Sequence, residues 1–362
     1  MDPGGVEIWL MHLLRNIDRG RFEFHFCTFG DHPGLYATEV EALGGEVLRC
    51  PKTANLVAFG RRFRRILRNG RYDAVHSHVY FFSGAVLHWA NAEGVPIRIA
   101  HSHGTYDGKS NNWARRSYRK LMRSWIDRYS THGLAASKSA AAKLFGECWR
   151  SDPRIQVLHC GIDLNSFRRP IDKEEVRREL GIPPDASVVG HVGRFVPPKN
   201  QSFILEIAAE ILKKRPDIHF LLVGDGPIRP QLEAHAKAAG LSERIHFTGT
   251  RTDVPRIMRA AMDVFIFPSL WEGLPIAVIE AQAAGLPCIL SEAVTDEANL
   301  LPGHVIQLGA SNSAEEWAKR TIEALGSAKA PGDLVLESIS KANFCVHQCI
   351  SNLSDVYGAV PG

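Results

Sequence analysis

Short apolar runs alternate along this chain with longer stretches in which apolar positions recur every three or four residues. The runs predict strands at Phe22–Phe29, Glu46–Cys50, Ala74–His78, Ile97–His101, Leu134–Ser137 and Gln156–Cys160. A second series covers Val188–Gly193, Ile218–Gly224, Arg244–Thr248, Val264–Pro268, Cys288–Ser291 and Val305–Leu308. Helical periods lie between them, as at Gln201–Lys214 and Pro230–Ala239. Alternation of this kind predicts an α/β fold of parallel sheets with crossover helices. The run H-F-L-L-V-G, apolar at most positions, fits a strand covered on both faces.

The series breaks between Gly161 and Pro184 in a turn-rich, charged stretch. A linker is expected there. It divides the chain into domains at 1–165 and 166–341, with a last helix at about 342–358 expected to pack back on the first. A length of 362 residues agrees with two domains. The net charge of +4 is too mild to imply nucleic acid, and is compatible with an anionic substrate or membrane surface. Seven cysteines without a C-x-x-C pair read as free thiols in a reducing compartment. The opening residues lack the basic and apolar regions of a signal peptide, and no apolar run approaches membrane-spanning length. The expected location is cytoplasmic, with peripheral contact at the inner face of the membrane as an option.

Three features of the second half carry candidate chemistry. They are V-V-G-H-V-G-R-F-V-P-P-K-N, F-L-L-V-G-D-G-P, and F-I-F-P-S-L-W-E-G-L-P-I-A-V-I-E-A-Q-A-A-G-L-P-C. Each is a strand that opens into a loop. Ligands of open parallel sheets bind beyond the carboxyl ends of the strands. Arg194 and Lys199 place a planar fork and a point charge at such an end, which suits a diphosphate. The Gly273-Leu274 backbone leads into a helix expected from Pro275 to Ala283, whose N–H groups attract anions. Glu272 and Glu280 stand eight residues apart, one on the loop and one in the helix, which disfavours a close acid/base pair. Carboxylates beside a phosphate site make sense if they bind hydroxyls, as of ribose or hexose. Asp225 is expected to cap or orient its own loop.

These motifs resemble glycosyltransferase family 4, whose members are retaining enzymes of the GT-B architecture, two Rossmann-like domains facing a central cleft. P-S-L-W-E-G-L-P-I-A-V-I-E-A-Q-A-A-G-L-P resembles the E-x7-E element of that family, and G-R-F-V-P-P-K-N its phosphate clamp. V-G-D-G-P, with Gly224, resembles the next strand end, and G-G-V-E-I-W-L the first glycine loop. The resemblance implies that Arg194 and Lys199 hold the donor diphosphate and stabilise its developing charge. It implies that Glu280 holds the ribose and Glu272 the donor-sugar hydroxyls, and that Gly5 approaches the donor from the first domain. It matches the family histidine to His103, with His101 as the alternative. It implies a hexosyl transfer from a nucleotide-sugar, UDP by family precedent, to a glycan or lipid-diphosphate-linked acceptor in polysaccharide or glycoconjugate assembly. No D-x-D occurs, so neither a divalent metal nor another cofactor is expected. A sugar-nucleotide epimerase and a non-catalytic paralogue are the alternatives.

In that family the glycine loop follows a first apolar strand in the middle of the N-terminal sheet. Here Met1-Asp2-Pro3 leads directly into Gly4-Gly5, so that strand is expected to be missing and the natural beginning with it.

Two further features have plain readings. His76 and His78 form a second H-x-H. A metal site needs more ligands at plausible spacing, and none is identified, so both read as structural. In the stretch from Trp113, residues Tyr118, Leu121, Met122, Trp125 and Ile126 share one helical side, and Arg116, Arg119, Lys120 and Arg123 the other. A solvated basic face is the ordinary reading and an anionic lipid surface the sharper one.

Overall fold

A computed structural model describes residues 4–30, 32, 34–50, 55–104 and 112–358. Its strands are β1 (His25–Thr28), β2 (Glu46–Arg49), β3 (Ala74–Ser77), β4 (Ile97–Ser102), β5 (His132–Ala135) and β6 (Ile155–Val157), then β7 (Val188–Val192), β8 (His219–Val223), β9 (Ile245–Gly249), β10 (Val264–Phe267), β11 (Cys288–Ser291) and β12 (Val305–Leu308). Between them run α1 (Gly5–Asn16), α2 (Ala37–Ala42), α3 (Leu56–Gly70), α4 (Ser83–Ala92), α5 (Trp113–Tyr129), α6 (Lys138–Phe145) and α7 (Lys173–Glu179). The second half adds α8 (Gln201–Lys214), α9 (Arg229–Ala238), α10 (Val254–Ala261), α11 (Ile276–Ala283), α12 (Ala314–Leu325), α13 (Gly332–Lys341) and α14 (Val346–Gly358). Each strand predicted from the apolar runs forms within a few residues of its expected bounds. All strand pairing is parallel.

The chain divides into two compact units, Met1–Gly161 with Val346–Gly362, and Ile162–Cys345. In the second unit the strand order is β12-β11-β10-β7-β8-β9. The first strand of the unit therefore lies in the middle, and the order reverses between β7 and β10. Val189, Phe220, Leu222, Val264 and Ile266 form one core with Ile204, Ile207 and Ile211 of α8 and Trp317 of α12. Fully burying each such side chain contributes about 1.5–3 kcal/mol. The stretch read as a linker is not one throughout. It contains α7, capped by Asp172 accepting from Glu175 N at 3.0 Å, with Val176 buried. Arg177 of α7 also bonds Asp263 Oδ2 at 3.2 Å, so this charged segment is anchored to the second unit.

In the first unit the described strands form two sheets, β1-β2 and β3-β4-β5-β6. No described strand joins β1 to β3. His25 Nδ1 and the Tyr72 hydroxyl, 2.8 Å apart, connect the two sheets through side chains. Met1–Pro3, on which the expected missing strand was argued, lie outside the described residues. α14 packs on α1. No described helix is long and apolar enough to cross a membrane.

Candidate active site

β7, β8 and β10 are neighbours in the second unit, and the loops at their carboxyl ends carry most of the sequence-predicted site. A parallel sheet whose strand order reverses opens a crevice at that point. After β7, Gly193 and Arg194 lead through a single 3-10 turn, Pro197–Lys199, to Asn200 in the left-handed conformation (φ 57). Two hydrogen bonds tie this loop to the loop after β10. Asn200 Nδ2 donates to the Pro268 carbonyl at 3.2 Å, and Leu270 N donates to the Pro198 carbonyl at 2.8 Å. The same approach brings Lys199 Nζ to Glu272 Oε1 at 2.6 Å and to within 4.8 Å of the Phe267 ring centre. Arg194 is exposed.

The loop is held from below by residues that the sequence reading passed over. His191 is fully buried in β7, and its Nδ1 lies 3.0 Å from the Ile266 carbonyl of β10. A carbonyl only accepts, so Nδ1 carries the proton and Nε2 is left to accept from Gln201 Nε2 at 3.3 Å. Gln201 Nε2 also donates to the Arg194 carbonyl at 2.9 Å. Burial pushes the His191 pKa down to about 4, so the ring is neutral near pH 7. The available signal was a histidine inside an otherwise apolar strand.

β8 leads into Gly224, with φ 137. A Cβ there would stand 2.1 Å from the Gly193 carbonyl oxygen, so no other residue fits this crossing of two strand ends. Phe195 N donates to the Asp225 carbonyl at 2.9 Å and locks the two loops together. The Asp225 carboxylate accepts from Gly226 N at 2.7 Å and from Arg229 at 2.9 Å, as expected of a residue that orients its loop.

Gly273 and Leu274 precede α11, and Pro275 takes the extended cap position one residue before the helix (φ −77, ψ 112). The first N–H groups of a helix have no intrahelical acceptor, so this end favours an anion. Glu280 lies in the second turn and is only 6% exposed. Among the described residues its carboxylate has no hydrogen-bond or ion partner. Burial alone raises its pKa to about 8. A buried carboxylate that no protein donor satisfies is suited to the hydroxyls of a ligand.

The remaining site residues lie in the first unit. Gly5 is the first residue of α1, and a Cβ there would meet nothing within 4 Å, so sterics do not demand glycine. His103 follows β4. Its Nε2 lies 2.9 Å from His78 Nδ1, and its Nδ1 lies 3.5 Å from Cys160 Sγ. Burial, then His78, lowers its pKa well below the ordinary imidazole value, and it is neutral near pH 7. His101, the alternative, is wholly buried in β4.

α5 corrects the helical-side reading. Met122 and Ile126 are buried, but Leu121 is 46% and Trp113 76% exposed. Arg123 is not a free surface charge, because its guanidinium donates to the Leu144 and Lys143 carbonyls at 3.0 and 2.7 Å. A helical wheel gives the direction of a side chain but not where its neighbour ends.

Comparison with known proteins identifies the family. The family profile described as Glycosyltransferase Family 4 matches residues 3–166, and that described as Glycosyl transferases group 1 matches residues 172–334. The putative glycosyltransferase EpsF of Bacillus subtilis is 33% identical over 99% of this chain and 94% of its own. The Escherichia coli UDP-Gal:alpha-D-GlcNAc-diphosphoundecaprenol alpha-1,3-galactosyltransferase is 32% identical over 63% of this chain and 59% of its own. The crystal structure of Anabaena HepE in complex with UDP and glucose superposes with a TM-score of 0.77 at 20% identity, covering 99% of this chain and 96% of that one.

Proposed function

The chain belongs to glycosyltransferase family 4, and from that premise we propose that it moves a hexosyl group from UDP-sugar to a lipid-diphosphate-linked glycan with retention at the anomeric carbon. It is an α/β glycosyltransferase of the GT-B type. Relatives that are named glycosyltransferases favour neither an epimerase nor a non-catalytic paralogue.

The observation that carries the donor assignment is the buried, unpartnered Glu280 carboxylate in α11, the helix that follows β10 at the switch point of the second sheet. In this reading Glu280 accepts from the ribose hydroxyls. Arg194, Lys199 and the backbone of Gly273 and Leu274 hold the diphosphate, and the glycine at 224 lets the β8 end close on the β7 loop. Glu272 takes donor-sugar hydroxyls while remaining near Lys199. As the bond from the anomeric carbon to the diphosphate oxygen breaks, negative charge grows on the leaving group. Fixed positive charges placed there lower the barrier without reorganising. A leaving oxygen on the same face as the incoming hydroxyl can take that hydroxyl's proton, which accounts for retention. His103, neutral and held by His78, is assigned to the donor sugar.

Support for a UDP donor comes from the HepE complex, and for a diphosphoundecaprenol acceptor from the Escherichia coli relative, each being what that protein's own description states. A lipid-linked acceptor places the enzyme at the cytoplasmic face of a membrane. The test is a panel of UDP-, GDP- and ADP-sugars with polyprenyl-diphosphate-linked acceptors, reading released nucleotide and extended lipid. Transfer from UDP-sugars dependent on the lipid acceptor is expected. Release of nucleotide from a GDP-sugar alone would overturn the donor assignment.

A further inference from the structure

Two H-x-H motifs, 25 residues apart in sequence, meet on one sheet face. Alternation along β3 and β4 turns His76, His78, His101 and His103 to the same side, and the parallel register pairs His76 with Ile99, so that His78 follows beside His101. The rings lie close together. Centroids lie 4.2 Å apart for His76 and His78 and 4.0 Å for His101 and His103. His76 Nε2 and His101 Nδ1 are 3.0 Å apart. One ring nitrogen from each of His76, His78 and His101 falls within 4.8 Å of the others. Nitrogens bound tetrahedrally to zinc at 2.0–2.1 Å stand about 3.3 Å from one another, a spacing that falls within this range.

Two further observations point to a ligand. His101 is fully buried, yet its Nε2 has no hydrogen-bond partner, so the rings do not satisfy one another completely. His76 Nδ1 lies 2.7 Å from the Tyr357 hydroxyl of α14, the outer-shell contact that orients a ligating imidazole.

We propose that His76, His78 and His101 bind one transition-metal ion of the imidazole-preferring kind, such as zinc, cobalt or nickel, with water at the fourth position. His76 binds through Nε2, in the tautomer whose Nδ1–H donates to the Tyr357 oxygen. His101 keeps one N–H, so the ion displaces no net proton from these two rings. A donor set of neutral nitrogens without a carboxylate disfavours magnesium, calcium and manganese. His76 and His78 are only partly buried, which leaves a way in. The site lies wholly within the first unit.

The test uses the full, untagged chain, stripped with chelator and dialysed. Cobalt is titrated and read by its visible absorption, and zinc by displacement of cobalt. One equivalent of tetrahedral-type cobalt is expected, displaced by zinc and not by magnesium. His101→Gln should lower affinity at least tenfold. Tyr357→Phe, which keeps the ring that fills the site, should lower it 10- to 100-fold. His246→Gln breaks a close histidine pair outside this cluster, His219 Nδ1 to His246 Nε2 at 2.8 Å, and should change nothing. Absence of bound cobalt, loss of binding on His246→Gln, or wild-type affinity in both Tyr357→Phe and a folded His101→Gln would each overturn the proposal. Where His101→Gln does not fold, Tyr357→Phe decides.

Discussion

Lys199 and Glu272, separated by 73 residues, form an ion pair at 2.6 Å across the loops that follow β7 and β10. Both side chains are largely shielded from solvent, and Lys199 also lies over Phe267. A diphosphate arriving at Lys199 therefore competes with a carboxylate already there. In the proposed assignment, the residue that takes sugar hydroxyls also tempers the charge that holds the phosphate.

Glu272→Gln is accordingly expected to separate the two jobs. Lys199 loses its anionic partner, so affinity for free UDP should hold or tighten, while kcat falls and selectivity between donor sugars relaxes. Calorimetry with UDP and steady-state kinetics with two UDP-sugars check this. A large loss of UDP affinity with kcat intact would contradict the assignment.

Glu280→Gln should act on the nucleotide. Losing a hydrogen bond to a charged group costs roughly 1.5–3 kcal/mol, or about 10- to 150-fold in Kd. The sign of the pH effect follows from the raised pKa of about 8. The free protein holds Glu280 mostly protonated at pH 7, and hydroxyl donors favour the anion. UDP affinity should therefore rise by up to about tenfold between pH 7 and 9. Glu280→Gln should flatten that slope. The same shift makes folding stability highest below the ordinary carboxylate pKa, with this group's contribution lost as pH rises through about 8.

If Arg194 and Lys199 supply the positive charge, as proposed, nucleotide-sugar affinity should be the same in magnesium and in excess chelator. Equilibrium binding in both buffers tests it, and complete loss in chelator would refute a clamp made of basic side chains.

Membrane contact is tested best on residues that have no internal duty. Arg116 and Lys120 are exposed on α5, whereas Arg123 caps carbonyls of α6. Arg116→Gln and Lys120→Gln together should weaken binding to phosphatidylglycerol vesicles by about 1 kcal/mol per charge at low salt. Unchanged sedimentation with vesicles would return α5 to an ordinary solvated helix.

The periodicity of the chain was enough to read twelve strands, because buried parallel strands are short, apolar and flanked by turn residues. Helix α7 was missed, since seven mostly charged residues with Val176 as the one buried position leave no apolar period. Arg194, Lys199 and Glu272 were legible as residues of loops at strand ends, and Glu280 as a residue of the helix that follows one of them. Their supports were not. His191 and Gln201 act through the Ile266 and Arg194 carbonyls, and backbone contacts have no sequence pattern. The histidine cluster was invisible for a related reason. Each H-x-H is unremarkable alone, and only the register of β3 against β4 brings them together.

The division of the first unit's strands into two sheets should have a kinetic counterpart. A two-stranded pair is marginal by itself, and β1-β2 relies on Met11, Leu14, Phe26, Tyr36 and Val40 for its packing. Its amides should open in small, frequent excursions and exchange with deuterium well before those of β7, β8 and β10, which are buried in a six-stranded sheet. Such a gradient would make the two halves of one polypeptide age differently under heat or protease, with the first cuts falling near β1 and β2 while the nucleotide-binding half still responds to its ligand.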